Sequence, residues 1–152
     1  MTHYIKAERD IAASSDDLWQ TVRQMTGMQD WYPGLIRESE VLEEESAEPR
    51  RNCIMQDGGV LKERILLRDD ATRTFVYAID SHPLPAKNVV GTIRIDDIGN
   101  GRSHVTWSAN LALDPKSADR IAAMVTGMYQ AGLASLESYH ATPQSDRSSP
   151  LS

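Results

Sequence analysis

A single cysteine, Cys53, stands among 152 residues. One thiol excludes an internal disulfide and any cysteine metal cluster. His3, His82, His104 and His140 are scattered, with no HxxE, HxH or carboxylate spacing of the kind that holds a metal. There is no G-x-S-x-G, no Walker glycine loop and no GxGxxG. Neither a metal nor a cofactor is expected. No apolar run approaches the roughly 20 residues of a membrane-crossing helix, and the opening MTHYIKAERD has no signal-type apolar core. Basic surface is lacking too: the net charge is −6, with both signs interspersed. Nucleic acid, anionic membrane surfaces and integral membrane insertion are therefore excluded as partners. A cytoplasmic protein, monomeric or homodimeric, is expected.

What is present has the balance of a globular chain, with 40% hydrophobic and 25% charged residues. That suffices for one domain over residues 1–142 with a sizeable core. The end, PQSDRSSPLS (143–152), is polar and proline-bearing and reads as a disordered tail.

The longest periodic stretch runs from Asp114 to Tyr139. Asp114 fits an N-cap and Pro115 a first helical turn. Ile121, Met124, Val125, Met128, Gly132, Leu136 and Tyr139 recur at 3–4 spacing, as one face of a helix does. Its middle holds Met124, Gly127, Met128, Ala131 and Gly132. Adaptable thioethers and missing side chains suit either a loose core or a helix lying over a cavity.

The rest is strand upon strand. Residues 3–12 alternate. SSDDLWQTVRQM follows as a short helix over roughly 15–26, capped by Ser14 or Ser15. GMQDWYPGL makes a second helical turn stopped by Pro33 and Gly34. Strands are predicted at 35–44, 50–56, 60–69, 73–80, 88–98 and 102–113, joined by short turns that favour antiparallel pairing. The order β-α-α-β-β-β-β-β-β-α, with one apolar face per strand, is an α+β arrangement: a curved sheet around one long helix.

Period-2 reading sorts the side chains by face. Leu61, Ile65 and Leu67 share parity with Glu63, so a carboxylate falls on an apolar face. A buried acid needs a partner, a proton, water or a kink. Leu35, Ser39 and Val41 share parity with Arg37, which makes an Arg37–Glu63 pair across a cavity the expectation. Phe75, Tyr77 and Ile79 form a wall, as do Val89, Gly91, Ile93 and Ile95, and Val105, Trp107, Ala109, Leu111 and Leu113. Cys53 and Met55 form a short row. Large rings beside Gly91 and Ala109 suit a lined pocket or jigsaw packing. Trp31 and Tyr32, before Pro33, either plug the end of a core or form the lip of a pocket. His82, in a proline loop, is a gate residue, an acid–base group or a plain surface histidine. Cys53 is a reactive thiol or a small buried hydrophobe.

The element order, W-Y-P-G at 31–34, LKERILLRDD at 61–70, S-H-P-L-P-A-K-N at 81–88, V-T-W-S at 105–108 and the long last helix resemble the SRPBCC superfamily. This is the helix-grip fold of START domains, polyketide cyclases/dehydrases and plant abscisic-acid receptors. The resemblance covers about residues 3–140 and is nearest to the bacterial polyketide cyclase/dehydrase and lipid-transport type. It implies that Glu63 faces the ligand cavity and that His82, Pro83 and Leu84 form a latch-like loop. It also implies that the shorter Asp57-Gly58-Gly59 replaces the receptors' gate. The receptors' pocket lysine falls roughly at Arg37, their tyrosine at Val89 and their last-strand glutamate at Trp107. The implied ligand is mostly apolar, with one polar or anionic handle for Arg37.

Three functions follow. One is a binder of a lipid, isoprenoid or aromatic molecule. Its cavity would be lined by Trp31, Tyr32, Leu35, Met55, Leu61, Tyr77, Ile79, Leu84, Val89, Gly91, Trp107, Ala109, Met124 and Met128, with Arg37, Glu63 and His82 as polar groups. A second is a cyclase or dehydratase with Glu63 as catalytic acid/base and Arg37 or Tyr77 stabilising an enolate. The third is a partner-binding domain with a filled core.

Overall fold

The computed structural model describes residues 2–143, 146 and 147. The elements run β1 (Thr2–Ile11), α1 (Ser15–Val22), α2 (Met28–Trp31), β2 (Ile36–Glu43), β3 (Arg50–Met55), β4 (Val60–Asp69), β5 (Thr74–Ser81), β6 (Ala86–Gly99), β7 (Arg102–Leu113) and α3 (Ala118–Ala141). All seven strands pair antiparallel in the order β1-β7-β6-β5-β4-β3-β2, so each neighbour after β2 follows by a short turn and only β1 crosses to β7. This is the α+β helix-grip arrangement. The alternation that predicts the strands also fills the core. In β7, Val105, Trp107, Ala109, Leu111 and Leu113 are all buried at every second position.

Ser14 caps α1, its hydroxyl accepting from the Asp17 N–H at 3.1 Å. α3 starts later than the sequence predicts. Asp114 caps a turn instead, its carboxylate accepting from the Lys116 N–H at 2.9 Å, and Ser117 takes the N-cap position. The 24 residues of α3 give it a length of roughly 36 Å. Its buried stripe is Ala118, Ile121, Val125, Tyr129, Gly132, Leu133 and Leu136. Met124, Gly127 and Ala131, expected inside, face outward. The 3.6-residue period brings Tyr129 and Leu133 round to the sheet and turns Met124 away. Of the flexible middle only Met128, half-buried, and Gly132 reach the interior.

Three contacts fix α3 over the sheet. Arg9 of β1 donates to Glu137 at 2.7 Å. The Ser135 hydroxyl donates to the Trp31 carbonyl at 2.6 Å, and the Tyr32 hydroxyl to the Met128 carbonyl at 2.6 Å. Gly132 makes the last approach possible, since a Cβ there would stand 2.7 Å from the Tyr32 ring. Most of the predicted tail lies outside the described residues. Arg147, which is described, folds back and donates to the Thr142 carbonyl at 3.0 Å.

Candidate functional site

A cavity of about 60 Å³ lies between the concave sheet face and α3. Its polar feature is a pair of neighbours on adjacent strands. Arg51 of β3 stands directly opposite Glu63 of β4 in the register. The Arg51 Nε donates to Glu63 Oε1 at 2.8 Å, and both side chains are buried, 7% and 3% exposed. Arg51 Nη1 donates to the Gln24 carbonyl at 3.2 Å and the Met25 carbonyl at 3.4 Å, where the chain leaves α1. The guanidinium also lies 5.2 Å from the centre of the Phe75 ring.

The expected partner of Glu63 was Arg37, and the structure overturns that. β2 has a bulge between Ile36 and Glu38. Ile36 is therefore wholly buried and Arg37 is turned to solvent, while Ser39 and Val41 return to the inner side beyond the bulge. Arg51, the partner found, shares the parity of Cys53 and Met55, and that is the signal the sequence holds for it.

A second feature is aromatic. Trp107 stacks on Tyr129 at 4.4 Å and 8° between planes. The Trp107 Nε1 donates to the Tyr77 hydroxyl at 2.8 Å, which lies 3.3 Å from the Tyr129 hydroxyl. Trp31 and Tyr32 close on the same indole, at 5.8 and 6.2 Å between centroids. Burial, then the neighbouring Tyr129 and Glu63, push the Tyr77 pKa well up, and burial raises Tyr129 to about 12. Both phenols stay protonated across the physiological range. Gly91 is where Tyr77 lies flat on β6, and a Cβ there would overlap the ring. Gly91 thus serves ring packing, and neither it nor Ala109 lines the cavity.

The cavity wall includes the predicted Trp31, Tyr32, Leu35, Leu61, Glu63, Tyr77, Ile79, Leu84, Val89, Trp107 and Met128. Arg51, Tyr129, Val22, Met28 and Val125 were not foreseen there, and Phe75, Ile93 and Leu111 were foreseen only as sheet walls. Tyr129 follows Val125 by four residues, so the helical period pointed to it. Met55 is buried but off the cavity, Met124 is exposed, and His82 is half-buried in the loop before β6. The His82 Nδ1 accepts from the Leu84 N–H at 3.2 Å, which shapes the loop and holds Leu84 to the cavity. Burial lowers the His82 pKa. Cys53 has no exposed surface, and burial, with Glu63 nearby, pushes its thiol up to about 12. It packs as a small hydrophobe rather than a nucleophile. Among the described residues no group of three or more histidines, cysteines or carboxylates is placed to hold a metal. No helix among them is long and apolar enough to cross a membrane.

A family model described as polyketide cyclase / dehydrase and lipid transport matches residues 2–141. No curated protein matches in sequence. Among solved structures, an uncharacterized protein from Bacillus thuringiensis is 27% identical, with a TM-score of 0.81, covering 91% of this chain and 98% of that one. Norcoclaurine synthase from Thalictrum flavum, in complex with dopamine and hydroxybenzaldehyde, is 19% identical with a TM-score of 0.75, covering 98% and 90%. The di-domain ARO/CYC BexL from the BE-7585A biosynthetic pathway is 16% identical with a TM-score of 0.80, covering 93% and 48%. The last two share the fold and carry no further weight.

Proposed function

The chain belongs to the polyketide cyclase / dehydrase and lipid transport family, and on that premise we propose that it binds a small, mostly apolar molecule between the sheet and α3. A lipid, an isoprenoid or an aromatic, polyketide-like compound fits the lining. The observation that carries this reading is a gap walled by aliphatic and aromatic side chains with a buried ion pair at its edge. Burying two charges costs several kcal/mol per ion, and apolar residues of like volume would stabilise a plain core as well or better. A pair kept there despite that cost suits a ligand site. The lone, fully buried thiol of Cys53 suits a reducing, cytoplasmic setting.

Sites for drug-sized ligands span roughly 300–1,000 Å³, so the 60 Å³ of free space admits a guest only as the wall yields. Leu35, Ile79, Leu84 and Met128 are the half-buried wall residues where it can. The cyclase or dehydratase reading is favoured less. Arg51 engages the Glu63 carboxylate, and Tyr77 holds its proton. Proton transfer would have to run through the one Glu63 oxygen that Arg51 leaves unpaired.

Native mass spectrometry of the protein purified from its own host tests the proposal. Wild-type protein is expected to carry an added mass that Met128→Trp, which fills the cavity from a half-buried helix position, does not. A wild-type chain that carries no guest, and takes up no aromatic compound on incubation, overturns the proposal in favour of a filled-core partner domain. Conversion of an added guest to a new mass would move the case to catalysis.

A further inference from the structure

Arg51 and Glu63 neutralise each other, and this decides what charge the cavity accepts. Each keeps hydrogen-bonding capacity in reserve. Arg51 uses Nε and Nη1, Glu63 uses Oε1, and Arg51 Nη2 and Glu63 Oε2 have no hydrogen-bond partner among the described residues. Neither atom is sealed off: the enclosed unpartnered side-chain atoms among those residues are His3 Nδ1 and Asn52 Oδ1. Both residues line the cavity, and the pair keeps an unused donor and an unused acceptor. The other polar atoms around it are committed to one another. Trp107 donates to Tyr77, Tyr77 meets Tyr129, and Tyr32 donates to the Met128 carbonyl.

We propose that the ligand is a neutral molecule with a carbonyl or hydroxyl handle set against Arg51 and Glu63, and that Glu63 excludes carboxylates. This rests on the binding function proposed above. It also replaces the anionic handle that the sequence led one to expect. A carboxylate drawn to Arg51 Nη2 meets the Glu63 charge at similar range. It then pays its full desolvation cost for an attraction largely cancelled. A carbonyl oxygen pays far less and still accepts from Nη2. A hydroxyl can accept from Nη2 and donate to Oε2 together. Selectivity thus comes from a built-in repulsion as much as from an attraction.

Three probes of one ring size test this: toluene, acetophenone and benzoate, titrated while the fluorescence of Trp31 and Trp107 is followed. Acetophenone is expected to bind tighter than toluene, and benzoate at least about tenfold weaker than acetophenone, the size that a cancelled charge and its desolvation readily produce. In Glu63→Gln, the affinity of benzoate relative to acetophenone is expected to rise about tenfold or more. Benzoate binding wild type as tightly as acetophenone overturns the proposal and leaves the binding function standing. Acetophenone no better than toluene removes the polar handle. No binding by any of the three overturns the cavity function, and the proposal falls with it. The wild-type comparison needs no variant, so it decides the matter even where Glu63→Gln folds poorly.

Discussion

Neighbouring residues of β4 carry the same chemistry on opposite faces of the sheet. Arg51 and Glu63 point inward, 2.8 Å apart and buried. Arg64, the next residue on β4, points outward and pairs with Asp80 at 2.8 Å and Glu48 at 3.1 Å, with more than a third of each side chain in water. Contact distance does not separate the two pairs. Environment does. In water the outer charges lose little when parted, because solvent takes the partner's place. Inside, a parted charge has nothing to turn to. The sheet's pleat therefore leaves the outer pairs in solvent and turns the inner pair toward the cavity.

The sharpest way to break that contrast is Arg51→Met, which strands Glu63. A loss of about 3–5 kcal/mol is expected in urea unfolding. Adding Glu63→Leu should restore most of it, because the cost lies in the unpaired charge. A double variant as unstable as the single would mean that the pair contributes net stability. Next in size is Gly91→Ala. The new methyl overlaps the Tyr77 ring, which its bonds to Trp107 and Tyr129 hold in place, so about 1–3 kcal/mol should be lost. An unchanged midpoint would show that the aromatic cluster is loose. Smaller again is a pH effect on the outer face. Hydrogen bonds to Asp10 at 2.7 Å, then to Glu8 at 3.2 Å, raise the His104 pKa above 6.5. Its contribution is fully present below pH 6.5 and fades as the pH rises through the folded value. His104→Gln should flatten the stability profile above pH 6.5. A profile identical to wild type would mean that the three groups do not interact in solution. Arg64→Ala should shift the unfolding midpoint least, within the scatter of repeated titrations; a shift rivalling that of Arg51→Met would dissolve the contrast.

Much of the fold was legible because alternation is a strong signal where one sheet face is buried. Parity placed Glu63, Tyr77, Trp107 and Val89 inward without any knowledge of partners. Arg37 was misplaced because one extra residue in β2 reverses parity, and a bulge leaves no mark in the sequence IRES. Arg51 was legible in principle, two residues before Cys53. Parity alone does not single it out, because its partner Glu63 is fixed only by the β3–β4 register. On α3, the middle looked like an open surface of methionine and glycine. A small error in the assumed face counts the outward Met124 as lining and leaves out Tyr129, a ring of the cavity wall.

The sequence alone determined the order of the elements, the inward face of most strands and the presence of a carboxylate among apolar neighbours. Each of these depends only on residues two to four apart along the chain. Register between strands and the meeting of α3 with the sheet were decided by the tertiary structure, since both depend on residues far apart in sequence. That is where Arg51 rather than Arg37 came to face Glu63, and where Trp107 came to stack on Tyr129 at the cavity wall.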